Sequence, residues 1–280
     1  MPEETTSSKA PSFLARTQSP NQWKAVTASI QTLVEEATFD VTPDGITFRA
    51  MDPSHVALVD LFWPSADFQK FSCDKSDKFT VRMEDFVKLI RRAESKDSVE
   101  ISREGQESLG VKISNGYKRE FELHLIESSQ STTPLPKLSY ESKFAITEPA
   151  FDRVLNDVSA ISNHITIETA KDRVVFSGKG DTGKAVVVLE KQQQDSSSSS
   201  SSSSASKGGS GSDLLDLSAE KESKSTYSIE YLLKITKAAG SASDSITFQY
   251  STKMPLRMEF LLGENSKGHI HFYLAPRVQE

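Results

Sequence analysis

The sequence predicts an α+β protein made of two similar halves, and three observations predict it. Short amphipathic helix patterns are few while alternating strand patterns are many. A polar, proline-bearing stretch, Ser128 to Lys137 (SSQSTTPLPK), divides the ordered chain. The order of elements in the first half recurs in the second.

The first half opens with Ser19 and Pro20 ahead of a helix whose Trp23, Val26, Thr27 and Ile30 fall at the i, i+3, i+4, i+7 spacing of one buried face. A hairpin follows, Phe39 and Val41 against Ile46, Phe48 and Ala50, across a Pro43-Asp44-Gly45 turn. In the second half Thr147 and Pro149 open a helix carrying Phe151, Val154, Leu155 and Val158, and Ile165 and Ile167 face Val174 and Phe176. The later helices also match: Phe86, Leu89, Ile90 and Ala93 share one face, as do Leu232, Ile235, Thr236 and Ala239. Strands Val99–Ile101, Leu109–Ile113 and Phe121–Ile126 follow the first of these, and Ile246–Tyr250, Leu256–Phe260 and Ile270–Leu274 the second. The expected division is a disordered tail over 1–12, a domain over 13–127, a connector over 128–139, and a domain over 140–280. That last domain carries a disordered serine-rich insertion over 192–224. The insertion holds an unbroken run from Ser196 to Ser204, and Leu214, Leu215 and Leu217 read as incidental leucines of the linker.

Composition bounds the function. At 36% hydrophobic and 26% charged residues the chain is ordinary globular material, with no run of about 20 apolar residues that would span a membrane. Its N-terminus lacks a secretory signal, so an intracellular location is expected. Cys73 is the single cysteine; it makes no internal disulfide and reads as a structural thiol. The net charge of −6 argues against nucleic acid until the placement of cations is considered.

Counting from the first apolar anchor of each helix (Trp23, Phe86, Phe151, Leu232), offsets +2 and +5 lie opposite the buried stripe. Offset +2 holds Ala25, Lys88, Arg153 and Lys234, and offset +5 holds Ala28, Arg91, Asn156 and Lys237. Arg92 and Lys24 lie beside these positions, and only Asp152 and Asp157 interrupt the surface. Solvated helix faces often carry Lys and Arg, yet recurrence at one offset in three of four helices of an acidic protein points to a surface kept positive. Cations without interleaved aromatics suit sequence-independent phosphate contact.

Enzymatic chemistry finds no support. Gly178-Lys179-Gly180-Asp181-Thr182-Gly183-Lys184 imitates a phosphate-binding loop, but Ala185 stands where a hydroxyl is needed and a strand follows, so a hairpin turn is expected. His269 and His271 alternate on one strand face without an evident third ligand, so no metal is expected. No nucleophile elbow, zinc-protease or dinucleotide motif is present, and no cofactor is expected.

Two stretches, Met51-Asp52-Pro53-Ser54-His55-Val56-Ala57-Leu58-Val59 and Tyr273-Leu274-Ala275-Pro276-Arg277-Val278, closely resemble signatures of the proliferating cell nuclear antigen family, of archaeal type. The resemblance runs from about Phe13 to Glu280; the N-terminal extension and the serine-rich insertion depart from it. It implies a trimeric ring of six similar domains, of identical or unlike subunits, that encircles double-stranded DNA with its helices lining the hole. The DNA-facing residues would be Lys24, Lys88, Arg91, Arg92, Arg153, Lys234 and Lys237. The strand bearing Phe121, Leu123 and Leu125 would pair with that bearing Val186 and Val188 of the next subunit, which removes exposed edges. The resemblance also implies a pocket at Met51, His55, Val56, Leu58, Leu135, Pro255, Tyr273, Ala275 and Pro276 for short peptides of DNA polymerase, flap endonuclease and DNA ligase. A separate ATP-driven clamp loader would open the ring. The location would be the archaeal cytoplasm at the nucleoid, or the nucleus in a eukaryote. The competing reading is a protein-binding scaffold of the same fold that does not encircle DNA.

Overall fold

The computed structural model describes residues 11–103, 105–128, 133–135, 137–191, 213–263 and 266–277. The first half contains β1 (Phe13–Thr17), α1 (Asn21–Gln31), β2 (Glu36–Thr42), β3 (Gly45–Met51), β4 (Ala57–Pro64), β5 (Lys70–Cys73), β6 (Asp77–Arg82), α2 (Met83–Ile90), β7 (Ser98–Arg103), β8 (Ser108–Asn115) and β9 (Tyr117–His124). The second contains β10 (Ser142–Thr147), α3 (Glu148–Ser159), β11 (His164–Thr169), β12 (Arg173–Gly180), β13 (Gly183–Glu190), β14 (Leu214–Ala219), β15 (Ser223–Ser228), α4 (Ile229–Ala239), β16 (Ser245–Tyr250), β17 (Leu256–Leu261) and β18 (His269–Leu274). The order is the same in both, so β4 and β9 are the counterparts of β13 and β18.

By compactness the chain forms two units. The first joins the chain to Lys137 with Lys234–Ser243 and Met258–Leu274; the second joins Leu138–Leu233, Asp244–Arg257 and the end of the chain from Ala275. In the first unit β5-β1-β7-β8-β9 form a sheet, and β17-β18-β4-β3-β2-β6 run side by side in another. In the second, β13-β12-β11-β15 form a sheet and β10 lies between β14 and β16.

Alternation along the strands explains which faces are covered. β1 reads buried, half-buried, buried along Phe13, Leu14 and Ala15, and β8 buries Leu109, Val111 and Ile113 on one face. Aromatic rings from both strands and helices fill the core of each unit. In the first unit Trp23 meets Trp63 at 4.8 Å edge-on, and Phe39 stacks on Phe79 at 5.0 Å. In the second, Phe248 receives Phe144 at 4.7 Å and Phe151 at 4.7 Å. Each such ring removed from water stabilises its unit by about 1.5–3 kcal/mol, and the edge-to-face pairs add to that.

The helix faces expected from the spacing are buried: Trp23, Val26, Thr27 and Ile30 on α1, and Phe151, Val154, Leu155 and Val158 on α3. α1 departs from the simple stripe, because Ala25 is also fully buried. α1 lies against α2 and against the turn Gly240–Ala242, so its covered arc is wider than that of a helix packed on one side only.

Two boundaries need correction. Leu214, Leu215 and Leu217 do not belong to a linker: they begin β14, which pairs antiparallel with β10, and Leu214 and Leu217 are buried. The disordered insertion expected over 192–224 therefore ends before Asp213, and its remaining part, 192–212, lies outside the described residues. Ser12, placed in the tail, is anchored: its N–H donates to the Arg103 carbonyl at 2.7 Å and its hydroxyl to Asp77 at 2.6 Å. The rest of the tail, 1–10, is not described. Cys73 is buried, as a structural thiol would be, and burial, followed by Asp77 and Asp74, pushes its pKa up.

Candidate DNA-facing helices and partner-binding face

The cations of the helices project from the sides away from the sheets. Lys88, Arg91 and Arg92 on or just after α2, Arg153 on α3, and Lys234 and Lys237 on α4 are exposed, while Lys24 on α1 is half-buried. They are not equally available. The Lys88 ammonium lies 2.6 Å from Glu84 and 3.8 Å from Asp85, and the hydrogen bond and charge of Glu84 raise its pKa. Arg153 lies 3.0 Å from Asp213, the residue just before β14. Asn156, at the offset where the later helices carry Arg91 and Lys237, donates instead to Asp152 at 3.0 Å. Lys24, Arg91, Arg92 and Lys237 form no ion pair among the described residues. The Arg153–Asp213 pair was hidden from the sequence because Asp213 was read as linker.

The signature loop from Met51 is shaped by one carboxylate. Asp52 is buried and accepts backbone N–H bonds from Ser54 at 3.2 Å, Val56 at 2.8 Å and Ala57 at 2.7 Å. This holds His55 at a φ of 60°, a left-handed conformation that non-glycine residues seldom adopt. Beyond the loop, strand register builds rows across one sheet face. Leu58 lies opposite both Met51 and Tyr273, while Asp60 lies opposite Arg49 and His271.

Of the residues assigned to the peptide pocket, Met51, Val56 and Tyr273 are half-buried in this unit, and His55 and Leu135 are exposed. Leu58 is 2% exposed and so underlies this surface instead of lining it. Pro255, Ala275 and Pro276 belong to the second unit, each half-buried. The first unit also has a cleft of about 370 Å³ lined by Thr38, Thr47, Arg49, Asp60, Phe62, Lys78, Ser128 and Thr133, among others, and none of the nine assigned residues lines it.

β9 and β13 each stand at the edge of a sheet, and they share one exposure pattern over eight residues. Phe121 and Leu123 are half-buried on β9, and Leu125 just beyond it donates to the Glu107 carbonyl at 2.9 Å. Val186 and Val188 on β13 are 50% and 47% exposed.

The glycine-rich imitation of a phosphate loop is a β12–β13 hairpin, as its residues suggested. Its glycines serve packing: a Cβ at Gly178 would stand 2.6 Å from Val158 Cγ1, and one at Gly180 would collide with the Ile161 carbonyl. His269 and His271, which the sequence leaves without an evident third ligand, have the Asp60 carboxylate beside them, because β4 pairs with β18. Sequence distance concealed Asp60; only strand pairing reveals it.

The chain matches two family models in succession, the proliferating cell nuclear antigen N-terminal domain over residues 13–129 and the C-terminal domain over residues 134–277. It is 43% identical over 267 residues to the DNA polymerase sliding clamp of Nitrosopumilus maritimus, covering 95% of this chain and 99% of that protein. It is 31% identical over 254 residues to the DNA polymerase sliding clamp of Thermococcus gammatolerans, covering 90% and 93%. A crystal structure of the proliferating cell nuclear antigen of Thermococcus kodakaraensis superposes with a TM-score of 0.83 at 24% identity, over 95% of this chain and all of that one, and so shares its fold. With its two domains matched in order over nearly its whole length, the chain belongs to the proliferating cell nuclear antigen family.

Proposed function

We propose that this chain is a DNA polymerase sliding clamp: a non-enzymatic processivity factor, three copies of which close into a ring around duplex DNA. The observation that carries the ring is the repeat. β18 pairs antiparallel with β4 inside the chain, from His269 opposite Phe62 to Leu274 opposite Ala57. Their counterparts β9 and β13 stand at sheet edges, so the junction made once within a chain can be made again between chains. Each chain offers one edge of each kind, so the contact is head to tail and closes when the rotation allows. Three copies then give six repeats, and no edge of this pair is left over.

The cations on the helices supply contacts to phosphates without reading bases, which suits a protein that must slide. Net negative charge elsewhere limits nonspecific adhesion of the outer surface to DNA. Holding DNA by topology means that direct affinity can be weak while retention is long. Polymerase, flap endonuclease and ligase dock through short peptides whose aromatic anchors seat near Met51, Val56 and Tyr273, and a loader that spends ATP opens the ring.

Extension of a primed circular template by a cognate polymerase tests this function. Adding the loaded chain should lengthen the products of single binding events, and unchanged lengths would contradict a clamp. Tyr273→Ala should weaken titrated partner peptides by about tenfold or more, the usual loss for a central aromatic anchor, without changing the mass of the assembly. Peptide binding equal to that of the unmodified chain would refute the pocket assignment.

A further inference from the structure

We propose that Asp60, His269 and His271 form a binding site for one divalent transition-metal ion of the zinc class. The His-x-His spacing on β18 puts both imidazoles on one face of the strand, with ring centroids 3.9 Å apart and planes 21° from parallel. The neighbouring strand β4 sets Asp60 directly opposite His271. One ligand atom from each of the three lies within 4.8 Å of the other two. Tetrahedral zinc with ligands at about 2.0–2.1 Å holds them roughly 3.3 Å apart, so closure needs the ligand atoms to approach by up to about 1.5 Å, within the reach of side-chain rotation.

What raises this cluster above two surface histidines is that each ligand already has an outer partner fixing its orientation. His269 Nδ1 lies 3.0 Å from the Lys267 carbonyl. A carbonyl only accepts, so Nδ1 carries the proton and Nε2 carries the lone pair. His271 Nε2 lies 2.7 Å from Glu259 Oε2 on the other flanking strand. A carboxylate accepts, so Nδ1 is the coordinating nitrogen, and it faces Asp60 Oδ2 at 3.9 Å. Asp60 Oδ1 accepts from Arg49 Nε at 2.7 Å, which leaves Oδ2 for the ion. Backbone and carboxylate partners of this kind are what metal-bound histidines use to set tautomer and basicity. His271 and Asp60 are 6% and 8% exposed, so the ion would sit in partial burial against the sheet, with water completing its coordination.

Two imidazoles and one carboxylate favour zinc, cobalt, nickel or copper over magnesium or calcium, which prefer all-oxygen sites. A bound ion would tie β4 to β18. The competing arrangement is a doubly protonated His271 paired with both carboxylates, and that arrangement binds no metal.

The test is calorimetric titration of Zn²⁺ into the untagged full chain after metal stripping, with a competing chelator. One zinc per chain is expected, with no saturable magnesium binding. His269→Ala, at a half-exposed position, should weaken zinc at least tenfold while the thermal unfolding of the metal-free chain stays the same. Glu259→Gln, which alters the partner of His271 and leaves the three ligands in place, should weaken it about tenfold. Absence of saturable zinc binding would overturn the site, and so would a His269→Ala chain that binds with unchanged affinity.

Discussion

Replacing Val186 and Val188 together with aspartate should convert the assembly to single chains. Both side chains lie on edge strand β13, 50% and 47% exposed, so no core contact within the chain depends on them. In the proposed ring β13 meets β9 of the next copy, and β9 carries exposed Glu120 and Glu122. Two new carboxylates would stand close to two existing ones, and like charges set against each other in an interface cost several kcal/mol. The unmodified chain should have a solution mass of three times 30.9 kDa, and the variant 30.9 kDa. Because surface substitutions alter stability by about 0.5 kcal/mol or less, the variant should remain folded. A variant that keeps the trimeric mass would remove β13 from the subunit junction.

The second large effect is electrostatic. Changing Lys88, Arg91, Arg153 and Lys237 to alanine should flatten the salt dependence of DNA association, since each phosphate that is no longer neutralised lowers the slope by about 0.9. The ion pairs modify the simple expectation that all four cations count equally. Lys88 and Arg153 must leave Glu84 and Asp213 to reach phosphate, but exposed, solvent-screened pairs of this kind are weak, so DNA can compete for them. Arg91 and Lys237 have no such competitor among the described residues, so Arg91→Ala with Lys237→Ala should by itself lower the slope by about two. An unaltered slope for the fourfold variant would place the DNA-contacting surface elsewhere.

Much of this fold was legible because periodicity reports burial directly. The faces bearing Trp23, Phe86, Phe151 and Leu232 were readable from apolar spacing, and the repeat from their common order. β14 was missed because Leu214, Leu215 and Leu217 follow a serine run whose composition masked a short strand; the equivalence with β5 was the available signal. Ala25 was placed opposite the buried stripe because spacing describes one contact face, whereas α1 has several neighbours. The shortfall at the candidate sites has one cause. The partners of Arg153 and of His271, namely Asp213 and Asp60, are distant in sequence and are brought close only by strand pairing. The function itself was legible mainly through the Met51 and Tyr273 signatures, with the cations at repeated helix offsets as independent physical support.

The central claim is that the chain holds DNA by encircling it, and retention on circular against linear DNA tests it most directly. After loading onto a nicked circle, the assembly should survive high salt and removal of the loader. Cutting the circle once should release it by sliding off the ends, and blocking both ends with bulky protein should restore retention. Equal retention on the cut DNA with open ends would contradict encirclement and would leave the scaffold reading in its place.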